Sequence, residues 1–235
     1  MRNNKQHIFC KRKLAIVLWL QVLLFFSCSI DQNNVVLYVN NEPVKVSELK
    51  FWMSMSRAEI SAYFFREHGI HYSTDFWEKA YGNELPIVML KERAVERLVE
   101  YKVQQIFARE LGVIESIEFD ELMLEMKDVN DKRKLKLAMG EPIYGPKQFT
   151  SHAYFFYVFD KMVYDVKQQL LTNYLSKDTL CAKKNFKFKN DKFEEKSGFH
   201  QMEYIDKKYE LLVLEMVRVI DLIINKDVFN KLTVN

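Results

Sequence analysis

The chain has 235 residues, 49 % of them hydrophobic and 29 % charged. Its 35 basic and 32 acidic residues give a formal net charge of +3, but Arg2, Lys5, Lys11, Arg12 and Lys13 all stand in the first 27 positions, which hold no acidic residue. Without that segment 30 basic residues face 32 acidic ones, a net of −2, and nucleic-acid binding loses its electrostatic basis.

Leu14 to Ser27 continue the basic start with a run that is apolar apart from Gln21 and Ser27. A basic stretch followed by an apolar one is the pattern of a secretory signal, and this run is shorter than the ~20 apolar residues of a stable membrane-spanning helix. Cleavage after Ser27 leaves Cys28 first. VLLFFSCSI resembles the lipobox of bacterial lipoproteins, although Phe25 and Phe26 stand where Leu and a small residue are usual. The resemblance implies a diacylglyceryl group on Cys28 and retention at the outer face of the cytoplasmic membrane. An uncleaved anchor and plain secretion with an idle cysteine are the alternatives. With Cys10 removed and Cys28 lipidated, Cys181 is the remaining thiol, so a disulfide within the chain and a cysteine-built zinc site are both excluded.

After a polar tether, VVLYVN (35–40) reads as a strand and NNEP as a turn. Ser47 offers an N-cap for a helix that Gly69 closes, with Leu49, Trp52, Met53, Ile60, Tyr63 and Phe64 at helical spacing. HYSTDFW connects it to a helix predicted over 85–111, with Pro86 in the first turn and Gly112 at the stop. Its 27 residues would span ~40 Å. Val95, Val99, Val103 and Ile106 form its apolar stripe, and Glu92, Glu96, Glu100 and Lys102 occupy other faces. Further helices are predicted over 116–139 and 146–174, separated by the turn-rich GEPIYGP. The lysine-rich stretch 177–206 reads as irregular. Asp206 to Met216 reads as a helix, Val217 to Asn225 as a strand, and Asp227 to Leu232 as a short helical turn. Strands at both ends of a mainly helical chain predict that they pair.

Catalytic patterns are missing: no GxSxG, no phosphate-cradling glycine loop, no GxGxxG and no HExxH. His68 and His71 stand three apart without further signalled ligands, so no metal is expected. Glu92, Glu96 and Glu100 fit a solvated face balanced by Lys91, Arg93 and Arg97. The flanks of Cys181 supply no histidine to activate it. No cofactor is called for. What the chain has in excess is 18 Phe, 12 Tyr, 3 Trp and 10 Met, side chains that belong in a core, a partner interface or a client-binding surface.

VNNEPVKVSELKFWM resembles the opening of the SurA/PrsA-type extracytoplasmic chaperones, a strand, then a turn, then a helix. DFW, LKERAVERLVEYKVQQIFARELGV and GEPIYGPKQF resemble later segments of that family. Lys102, Val103, Gln105, Ala108, Glu110 and Gly112 match one family pattern, and RVIDLIINKDVFNKLTV resembles the closing strand and turn. Asn41 stands where the family has glycine. The resemblance covers about 35–175 and 207–234. It implies a mainly α, elongated SurA N-terminal-like domain with a small terminal β pairing. Family members often insert a parvulin prolyl isomerase of about 90 residues before the closing segment; the 30-residue interval here cannot hold one.

The expected organisation is a lipoprotein signal at 1–27, a tether at 28–34, a helical domain at 35–175, a lysine-rich linker at 176–206 and a closing helix and strand at 207–235. The expected function is a membrane-anchored, ATP-independent holdase for unfolded or newly secreted polypeptides. Its cradle would include Phe51, Trp52, Met55, Tyr63, Phe64, Trp77, Tyr144, Phe149, Tyr154 and Phe155. The alternatives are an interaction lipoprotein with one dedicated envelope partner and a residual prolyl isomerase.

Overall fold

A computed structural model describes residues 31–175 and 198–234. The segment read as an export signal, with Cys28, and Cys181 with most of the lysine-rich stretch, lie outside the described residues. The described chain is mainly helical, with one small antiparallel sheet.

Strands β1 (Val35–Val39) and β2 (Glu42–Lys45) form a hairpin through Asn40 and Asn41, whose φ values are 49° and 66°. Two successive positive φ values give the turn whose twist matches a hairpin, and Asn tolerates this region better than most residues. NNEP thus begins as the expected turn, but Glu42 and Pro43 already belong to a second strand. The added strand is an edge, the place where Pro43, which has no N–H to donate, costs a sheet least.

Strand β3 (Leu222–Ile224) pairs antiparallel with the other side of β1, giving the order β2-β1-β3. Asn40 anchors the junction: its N–H donates to the Asp221 carbonyl and its Oδ1 accepts from the Asp221 N–H, both at 2.9 Å. The pairing of the two end strands is present as expected. The closing strand is shorter than 217–225, because the preceding helix runs on through Arg218.

Helix α1 (Val46–His68) buries Leu49, Met53, Ser56, Ile60 and Phe64 at three- and four-residue intervals. Gly69 ends it at φ 66°, its N–H bonded to the Phe65 carbonyl. Ser47 does not cap it. Lys45 takes the cap position, and the Ser47 hydroxyl donates instead to Asp120 Oδ1 at 3.0 Å.

Helix α2 (Pro86–Glu110) matches its predicted limits closely, with Pro86 in the first turn and Gly112 at φ 75° just beyond its end. Val95, Val99, Val103 and Ile106 are buried, as expected of the stripe, while Glu92, Glu96 and Glu100 lie outside the core. Lys102 is the correction. Its Nζ lies 2.7 Å from the Glu48 carboxylate and donates to the Ile117 carbonyl at 3.2 Å, with 2 % of the side chain exposed. Lys91 likewise turns inward, donating to the carbonyls of Phe229 and Asn230 at 3.0 and 3.2 Å. Arg93 and Arg97 keep the surface role, sharing Glu59 at 2.9 and 2.6 Å.

Helices α3 (Phe119–Ala138) and α4 (Ser151–Leu175) come next. Helix α4 starts later than Pro146 because Thr150 caps it, its Oγ1 accepting from the Ala153 N–H. Helix α5 (Gly198–Arg218) begins inside the stretch read as linker and buries Ile205, Tyr209, Leu212 and Val213. That apolar stripe is what orders it. Tyr209 donates to Gln104 Oε1 at 3.0 Å, joining α5 to α2, and burial pushes its phenol well above the usual range. The short α6 (Lys226–Phe229) closes the chain against β1. Helix α2 is the centre of the fold, touching α1, α4, α5 and β1.

Candidate functional site: a groove beside helix α3

Helix α3 buries none of its residues, a consequence of the acidic and basic side chains spread around it. It is held at separate points along its length. At its start, Asp120 accepts from Lys45 Nζ at 2.7 Å and from Ser47, and Phe119 packs on Phe51 with ring centroids 5.2 Å apart. Farther along, Asn130 exchanges two hydrogen bonds with the backbone of Phe149, at 2.8 and 3.0 Å. Arg133 donates to the carbonyls of Tyr144 and Pro146 and lies over the Phe149 ring at 5.1 Å. The proline-containing loop thus serves as a rigid bracket between α3 and α4.

Between these attachments a groove of about 370 Å³ opens among the α2–α3 connector, α3 and α4. Ile114, Ile117, Phe119, Leu122, Phe155, Val158, Phe159 and Met162 supply its apolar surface, and Glu48, Glu115, Glu118, Glu121 and Glu125 its carboxylates. That volume lies at the lower end of the range for pockets that take small ligands or a few side chains. Beyond the groove, α3 and its loop present Leu124, Leu135, Met139 and Tyr144, exposed by 67 %, 60 %, 72 % and 91 %.

Asp120 makes this end of α3 pH-sensitive. Burial, the largest influence on its carboxyl, pushes it up, but the bonds from Lys45 and Ser47 and the Lys45 charge together hold it below 3.8. A carboxyl depressed in the fold stabilises it above the unfolded pKa, and that contribution is lost as pH falls through the folded value. Protection of the amides over 119–126, taken relative to their intrinsic exchange rates, is therefore expected to fall below about pH 4 before protection in α2 does. Asp120→Asn should show the lower protection already at neutral pH. Equal protection at pH 7 and pH 3 would refute this attachment.

The ten aromatic and methionine positions proposed for client contact divide three ways. Phe51, Trp52, Phe64, Trp77, Tyr154 and Phe155 are buried, and Phe155 reaches the groove as part of its wall. This corrects the expected cradle: Phe51 and Trp52 of α1 pack with Phe155 of α4 at centroid distances of 5.1 to 5.2 Å, Phe64 and Trp77 both pack on Phe76 at 5.6 and 4.9 Å, and Tyr154 packs on Phe149 at 5.4 Å. Met55, Tyr63 and Phe149 are partly covered, Tyr63 donating to Glu84 Oε1 at 2.8 Å. Tyr144 alone of the ten is widely exposed.

His68 bonds Glu84 Oε2 at 2.8 Å, and no group of three metal-ligating side chains occurs among the described residues. The groove carboxylates were missed in the sequence, although one signal of them was present. Residues 110–128 hold seven acids against the single base Lys127, a bias that marks a charged surface but not the apolar floor beneath it. No helix of the described residues is long and apolar enough to cross a membrane. Against known proteins, the chain matches no family model, no curated protein and no solved structure.

Proposed function

We propose that this protein is an ATP-independent holdase of the SurA/PrsA type, carried at the outer face of the cytoplasmic membrane by a lipid on Cys28. The groove between α3 and α4 carries this reading, because its apolar lining, left open beside an exposed helix, can take up side chains from an unfolded chain. Leu135, Met139 and Tyr144 extend an apolar surface past it. The order of family-like segments along the chain, including the pairing of its end strands, supports the same reading. Two acyl chains would hold the module where exported polypeptides emerge, and confinement would raise its concentration near them. Binding there would be reversible capture of exposed apolar segments, which slows their aggregation.

The test adds purified protein, in rising ratio, to two unrelated unfolded proteins on dilution from denaturant and follows light scattering. Saturable suppression for both is expected. A folded protein that suppresses neither would remove the holdase reading and point to one dedicated partner instead. Lipidation has its own readout: radiolabelled fatty acid should enter the native protein and not Cys28→Ala.

A further inference from the structure

We propose that the groove prefers apolar segments flanked by lysine or arginine, a selectivity that rests on the client-binding reading above and adds to it. Glu115, Glu118 and Glu121 border the apolar lining and take part in no ion pair among the described residues. The cations whose charge reaches this region are already engaged. Lys45 holds Asp120 at 2.7 Å, Arg109 holds Glu42 at 2.5 Å and Lys102 holds Glu48 at 2.7 Å. An uncharged or acidic segment would seat its side chains on Ile114, Leu122 and Val158 and leave the rim carboxylates without an ion-pair partner of their own. A segment with a basic residue on each side of two or three apolar ones satisfies both surfaces at once. Charge arranged this way discriminates between partners and speeds their encounter more than it adds raw affinity. The occupant is thus an extended polypeptide with an apolar centre and basic flanks.

Two dodecapeptides test this, sharing a Leu-Phe-Leu centre and differing only in Lys or Gln flanks, with binding to the full protein read by fluorescence anisotropy. The Lys-flanked peptide is expected to bind about tenfold tighter at ~50 mM salt, with most of that advantage gone at ~500 mM. In Glu115→Gln/Glu118→Gln/Glu121→Gln the ratio should fall to about one. In Val158→Trp, which fills the floor, both peptides should be lost while the circular dichroism melt remains cooperative. Equal binding of the two peptides to the native protein, or an unchanged ratio in the triple variant, overturns the proposed selectivity and leaves client binding standing. Native-like binding by Val158→Trp overturns the groove as the site. If neither peptide binds the native protein and scattering is not suppressed, the client-binding reading falls with the selectivity.

Discussion

Lys102→Ala is expected to lower the unfolding free energy by roughly 3–5 kcal/mol, the usual cost of stranding one member of a buried ion pair. The Lys102 and Glu48 side chains are 2 % and 5 % exposed and 2.7 Å apart. Burial pushes the Glu48 carboxyl up and the Lys102 charge and hydrogen bond pull it back, with the upward direction winning. Without Lys102 only the upward influence of burial and of the neighbouring carboxylates remains. An acid whose folded pKa is raised is protonated more readily in the fold than in the unfolded chain. The variant should therefore be less destabilised at acidic than at alkaline pH, because a proton on Glu48 removes the stranded charge. Replacing both partners, as Glu48→Met/Lys102→Met, should be close to neutral or stabilising, because it removes two desolvated charges together. Urea unfolding at pH 5 and pH 8 decides the matter. A single-variant loss under about 1 kcal/mol at pH 8 would mean that Glu48 finds another partner. The pair also concerns the groove: Glu48 lies in its wall, and Lys102 fixes the connector through the Ile117 carbonyl at 3.2 Å.

Trp52→Ala should cost about 3–5 kcal/mol, as large-to-small changes of core aromatics do. Trp52 is 1 % exposed and packs edge-on against Phe51 and Phe155, with centroids 5.2 and 5.1 Å away. Tyr144→Ala, at a side chain 91 % exposed, should change stability by less than about 0.5 kcal/mol. For a domain of this size the first change is worth roughly 10 °C in melting temperature and the second nothing measurable. Thermal unfolding of the two variants side by side checks this, and a Trp52 variant that melts like the native protein would refute the core assignment. The comparison matters for function. Lost client binding in a Trp52 or Phe64 variant would report a damaged fold, whereas the same loss in a folded Val158 or Tyr144 variant would report contact.

Helix α2 and its limits were legible in the sequence because their signals are local: Pro86 in the first turn, Gly112 past the last, and a valine stripe between them. The turn at Asn40 and Asn41 was equally legible, since positive φ depends on the residue itself. The pairing of the end strands was readable as an expectation from the order of elements. Lys102, Ser47 and Lys91 were not legible, because each chose a partner far along the chain: Glu48, Asp120 and the carbonyls of Phe229 and Asn230. The aromatic excess pointed to large contact areas without saying whether they face inward. Helical spacing gives the angle between side chains on one helix, and it carries no information about which neighbours surround that helix. The groove is the clearest instance. The acids of 110–128 could be read from the sequence. Only the placing of α3 against α1 and α4, through Asp120, Asn130 and Arg133, set those acids around an apolar floor. Local chemistry thus determined which elements form and where they stop, and packing between distant segments decided what they bury and what they leave open.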